Sequence, residues 1–214
     1  MTLNEVWDMS YDEYVQYLLD KYGKAMVDYF CTPECKSKNP KISRTKEGLE
    51  CHHIDEDKFI LLSNPKVACI CPFELQKADR LLYADKIEHL ILHIKIAEMG
   101  EAGGYGCGTK LIIGNINTLF DTPPISGWQL NMYNKIKPNF DLYIEILNRL
   151  ASQINNTLDI RKIILEQDET KKEKIMYLVS ILFATDPNNP TAKFPTKIFE
   201  AFLKHKPQED YEFV

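Results

Sequence analysis

Apolar and polar positions along the chain set out a series of helices around a shorter irregular middle. Ser10 and Glu13 form a capping-box signature, and Tyr14, Leu18, Tyr22, Ala25 and Met26 recur at helical spacing, which predicts a helix from Ser10 to about Phe30. Gly23 weakens its middle. CTPECKSKNP reads as a Pro-punctuated loop, and residues 42–54 as a short β ribbon with Gly48 at its turn or bulge. Pro65 and Pro72 break any long element in the stretch that follows. Ala78, Leu82, Ile87, Leu90, Ile91, Ile94 and Ala97 predict one helix from Leu75 to about Met99, stopped by Gly100. EAGGYGCGTK reads as a loop, and it lacks the Gly-Lys-Ser/Thr ending of a phosphate-binding loop. Asn139–Asn155, Asp159–Glu166, Glu169–Ala184 and Thr196–His205 read as amphipathic helices. No internal repeat or low-complexity tract interrupts the pattern. The organisation expected is an N-terminal helix over 1–30, a small α+β module over 31–100 and a mainly helical region over 101–214.

Composition narrows the class. The 214 residues are 44% hydrophobic and 27% charged, as in an ordinary water-soluble domain or pair of small domains. No stretch approaches the roughly 18 apolar residues of a membrane span, and the acidic N-terminus lacks the pattern of a secretory signal. Six cysteines are too few for a disulfide scaffold of this length, which points to a reducing, cytoplasmic setting without membrane attachment. A net charge of -5 argues against a uniformly basic nucleic-acid coat. It leaves room for a local patch: Lys36, Lys38, Lys41, Arg44 and Lys46 form a run with no acidic residue between 36 and 46. In an acidic chain this run is where a phosphate backbone would be attracted.

Four of the five histidines, His52, His53, His89 and His93, fall between residues 52 and 93. His89 and His93 are four apart, so on a helix they share a face and can grip one divalent ion. His52 and His53 are adjacent, so on a strand they face opposite ways. One of them can complete a three-histidine site while the other faces a substrate as a general base. Three protein ligands leave a position open, as catalytic sites require. His205, between Lys204 and Lys206, reads as solvated, and Cys69 and Cys71 as small buried hydrophobes.

Over residues 31–98, GLECHHID followed by RLLYADKIEHLILH resembles the HNH, or ββα-metal, endonuclease family. There, a His-His pair ends the first strand of a ribbon and a helix supplies further ligands. The resemblance implies a small ββα-metal centre embedded in a mainly helical protein, an α+β class. It implies one divalent ion (Mg, Mn, Ni or Zn) on His52, His89 and His93, with His53 as general base and Glu50 orienting a ligand from behind. The substrate implied is nucleic acid, DNA ahead of RNA. The family's Asn, which accepts a hydrogen bond from the base, is Arg80 here, and an arginine has no acceptor. Asn64, in the irregular stretch, is a candidate substitute, and Arg80 a candidate phosphate clamp. A structural zinc on Cys31 and Cys35 would need Asp85 and Glu88 as its second pair, a disfavoured mixture. The competing expectation is a non-catalytic interaction protein on the same scaffold, such as a phage- or mobile-element-encoded inhibitor or regulator of a defence nuclease. In either case the helical C-terminal region is available for a protein partner or self-association.

Overall fold

The computed structural model describes residues 1–100, 107–154, 179–185, 188–189, 193–206 and 211–213. It is a mixed helical protein with one two-stranded antiparallel sheet among the described residues, which places it in the α+β class. Two compact units divide it. The first comprises Met1–Trp7, Cys107–Pro124 and Lys137–Val214, and the second Asp8–Gly106 and Ile125–Ile136.

The first unit is helical. Its elements are α1 (Leu3–Asp8, reaching one residue into the second unit), α5 (Cys107–Asp121), α7 (Phe140–Ile154) and α8 (Thr196–Lys204). Phe120 packs against Phe140 and Tyr143, and Phe183 against Phe194, Phe199 and Phe202. Buried Asn117 accepts from the Tyr143 hydroxyl at 2.6 Å and donates to the carbonyls of Leu182 and Ala184. His205 is not solvated. Its Nε2 meets Glu145 Oε2 at 2.6 Å, and its side chain is nearly covered. The helices expected at 139–155 and 196–205 are present as Phe140–Ile154 and Thr196–Lys204, whereas those at 159–166 and over most of 169–184 lie outside the described residues. The end of the glycine-rich segment is helical, because Cys107 to Lys110 open α5.

The second unit carries α2 (Tyr11–Tyr22), β1 (Glu50–His53), α3 (Pro65–Ala68), β2 (Leu81–Ala84), α4 (Lys86–Met99) and α6 (Gly127–Ile136). α2 begins at the expected Ser10–Glu13 capping box but ends at Gly23, whose φ of 77° breaks the helix well short of Phe30. The ribbon does not close on itself within 42–54. β1 pairs instead with β2, Glu50 opposite Ala84 and His53 opposite Leu81. Residues 75–84 are therefore not helical: two short 3-10 turns lead into β2, and α4 starts only at Lys86. Asp85 fixes that start, its carboxylate accepting from the Ile87 and Glu88 amides while Glu88 accepts from the Asp85 amide. α5 and α6 carry no counterpart in the expected elements.

A core of Tyr29, Phe30, Cys35, Ile42, Leu49, Ala68, Leu81 and Tyr83 packs around the sheet. α3 turns Ala68 inward and leaves Cys69 exposed and Cys71 half-buried, so neither is the buried hydrophobe expected. Asp85 and Glu88 are committed to the α4 cap, with Glu88 also paired to Lys21 at 2.9 Å. No described helix is long and apolar enough to cross a membrane.

Candidate metal centre

The short link from β2 into α4 lays the first turns of the helix beside β1, with His89 and His93 one turn apart on the face that meets the strand. His52, His89 and His93 each offer a ring nitrogen, all within 4.8 Å of one another. Their ring centroids lie 5.0–5.3 Å apart. His52 and His53 are both buried, each about 1% exposed. His52 faces α4, whereas His53 packs on the Tyr29 ring with centroids 4.5 Å apart.

Hydrogen-bond partners set which nitrogen of each ligand is available. The Tyr11 hydroxyl donates to the Ile54 carbonyl at 2.8 Å, so its oxygen accepts from His52 Nε2–H at 3.1 Å. Burial first, then the nearby Asp57, Glu56 and Asp55, raise the Tyr11 hydroxyl and keep its proton in place. Glu50 Oε2 likewise accepts from His89 Nδ1–H at 2.9 Å. These assignments leave lone pairs on His52 Nδ1 and His89 Nε2, which face each other at 3.2 Å. Two acceptors at that distance call for a proton or a cation between them. Ligand atoms placed tetrahedrally on a metal with bonds of 2.0–2.1 Å lie about 3.3–3.4 Å apart, so the pair fits one metal ion.

Electrostatics favour neutral imidazoles and a charged acceptor behind them. Burial holds His52 well below, and His93 below, the usual histidine range. Burial would raise Glu50, but the Lys86 ammonium at 2.7 Å and His89 outweigh it and hold the carboxyl well below its ordinary value. Glu50 thus sits behind His89 as a charged acceptor for Nδ1–H, the ring nitrogen that is not turned towards His52.

The remaining sequence candidates sit elsewhere. Arg80 forms a two-pronged ion pair with Asp55, and Asn64 accepts from the Lys66 amide as the cap of α3. Neither holds His53. That task falls to Gln76, whose Oε1 accepts from His53 Nε2 at 2.9 Å while its Nε2 donates to the Leu62 carbonyl. In the basic run, Lys36, Lys38, Lys41 and Lys46 are exposed, but Arg44 is bound to Glu47 and the Tyr22 carbonyl. Lys38 lies over the ring of Tyr29, 4.4 Å from its centre.

Sequence reasoning missed three residues: Tyr11, Gln76 and Glu56. Glu56 brings one carboxylate within 3.4–3.7 Å of His52, His53 and His93. Burial would raise its carboxyl, but contacts with His53 and His93 hold it well below the carboxylate range. Its signal was confined to an acidic triplet one residue beyond the His-His pair. The fold and site define an α+β protein with a three-histidine centre fit for a metal ion. No protein-family model, curated protein or solved structure matches the chain.

Proposed function

We propose that the protein is a metal-dependent endonuclease of the HNH type, hydrolysing phosphodiester bonds in nucleic acid, DNA ahead of RNA. One observation carries the reading: ring nitrogens that face each other as acceptors lie on a β-β-α unit whose strand also bears a second, separately oriented histidine. A divalent ion on His52, His89 and His93 supplies stabilisation of the charge that develops at the scissile phosphate.

The remaining work falls to the chain. Because His53 Nε2–H is held by Gln76, Nδ1 carries the lone pair and takes a proton from the attacking water. The water oxygen bonds to phosphorus as the bond from phosphorus to the leaving oxygen breaks. Tyr11 and Glu50 fix the tautomers of His52 and His89, and so keep their ligand nitrogens turned inward. Lys38, whose ammonium lies over the Tyr29 ring on which His53 also packs, is a contact for the nucleic-acid backbone.

Metal analysis of the purified chain, followed by plasmid cleavage with Mg²⁺, Mn²⁺, Ni²⁺ or Zn²⁺, tests this reading. His53→Ala should keep its metal and lose about 10²–10⁴-fold in cleavage, the usual worth of a general base. His89→Ala should lose both. Metal retained by the wild type with no cleavage under any ion would replace the nuclease reading with the non-catalytic scaffold.

A further inference from the structure

α6 lays one face on the 3-10 turn Thr45–Glu47, which carries the end of the basic run. Asn131 donates from Nδ2 to the Thr45 carbonyl at 3.3 Å, and Asn131 and Lys135 press on Gly48. Trp128 stands three residues before Asn131, on the same face and one turn nearer the start of the helix. Met132 and Ile136, one and two turns beyond it, are buried, yet Trp128 is 53% exposed and Ile125 before it 95%. The packing face of α6 therefore runs past the residues it covers and ends on a large aromatic ring. Lys46 is exposed on the turn that α6 covers, and Glu47, the acidic residue of that turn, is bound to Arg44. From Gly48 the chain reaches His53 in five residues, at most about 18 Å.

We propose that Trp128 is a stacking platform for an unpaired nucleobase, with Lys46 taking a phosphate of the same strand. Nucleic acid with a single-stranded stretch is then preferred to a closed duplex. The inference rests on the nucleic-acid reading above and narrows its substrate. Every base has a face that an exposed indole can cover, whatever the sequence, and a neighbouring cation holds the backbone. In a chain of net charge -5, the exposed lysines of the basic run are the local complement that a polyanion needs. Under an apolar protein surface Lys46 would lose its water with nothing in return. A fully paired duplex keeps its bases stacked inside and offers none to the indole, although its phosphates still meet the lysines.

Tryptophan fluorescence reads the contact directly. The chain has two tryptophans, so Trp7→Phe leaves Trp128 as the reporter. A phosphorothioate oligo-dT, which resists cleavage, should quench it, and a blunt duplex of the same length should not. Anisotropy of the labelled oligonucleotide gives the affinity of the full wild-type chain and its variants. Trp128→Ala should weaken single-strand binding by about 5–150-fold, the usual worth of one stacked base, and Trp128→Phe should keep most of the affinity. Lys46→Ala should flatten the dependence of log affinity on log salt by about 0.7, one phosphate of a single strand, whereas Trp128→Ala should leave that slope unchanged. Single-strand binding by Trp128→Ala equal to wild type, or equal quenching by the blunt duplex, overturns the inference and leaves the nuclease reading intact. A dimer that Trp128→Ala converts to a monomer assigns the face to a second copy and overturns it as well. Quenching by the single strand without cleavage under any divalent ion removes the nuclease reading and keeps this inference. A wild-type chain that binds no nucleic acid removes both.

Discussion

Gln76 reaches His53, the proposed base, from a segment with no helical or strand period, and is the acceptor that holds its Nε2–H. Its amide is spent at both ends, accepting from His53 and donating to the Leu62 carbonyl. Gln76→Leu, close in volume, removes the acceptor and frees the imidazole to change tautomer. Cleavage should fall by up to the 10²–10⁴-fold worth of the base, with metal content unchanged. Losing two buried hydrogen bonds should also cost about 1–3 kcal/mol of stability. Metal lost in parallel would place the residue behind the ligands rather than behind the base. His89, His93 and one histidine of the 52–53 pair were legible in the sequence, because a strand and a helix fix their relative directions from spacing. The choice of His52 and the place of Glu50 came only from the resemblance to the HNH family. Gln76, Tyr11 and Glu56 were not legible, because their approach is set by how separate segments pack. Arg80 and Asn64 misled for the same reason: the chemistry of the side chain was readable, but its partner, Asp55 or the α3 cap, was not.

At the scale of elements, α2 and the body of α4 were readable, whereas β2 was absorbed into a longer helix. All four residues of β2 are buried, so the strand shows no alternation, and a short apolar run of that kind fits a helical period equally well. The Asp85–Glu88 capping box marks the true start of α4. Gly48 was readable as special but not in its setting. It ends a 3-10 turn at φ 74°, and a Cβ there would lie 2.7 Å from both the Asn131 carbonyl oxygen and the Lys135 Cβ of α6. Gly48→Ala therefore meets left-handed backbone strain of about 1–2 kcal/mol and a steric clash of about 1–3 kcal/mol. Thermal unfolding should drop by several degrees, at about 2–4 °C for each kcal/mol in a chain of this size. An unchanged melting temperature would show that α6 does not press on the turn that leads into β1.

Across the whole molecule, the candidate metal centre and the residues that hydrogen-bond its histidines belong to one compact unit, and so does the basic run. The chain carries a net charge of -5, so attraction of a polyanion has to come from a local arrangement rather than from overall charge. Arg44 is withdrawn from that arrangement by Glu47, the Tyr22 carbonyl and the Tyr83 ring. Lys38 is the member tied to the site, since the Tyr29 ring touches both its ammonium and the His53 imidazole. If the proposed nuclease reading holds, replacing Lys36, Lys38 and Lys41 together by Ala should weaken nucleic-acid binding. The dependence of log affinity on log salt should flatten by up to about 0.9 for each phosphate contact removed. Lys38→Ala alone should account for the largest single share and should also lower kcat/KM, because the Tyr29 ring that its ammonium covers also packs on His53. Lys36→Ala and Lys41→Ala, both exposed, should change binding with less effect on turnover. Titrations of duplex DNA across a range of salt concentrations read both quantities, and an unchanged slope in the triple variant would mark the run as a solvated loop.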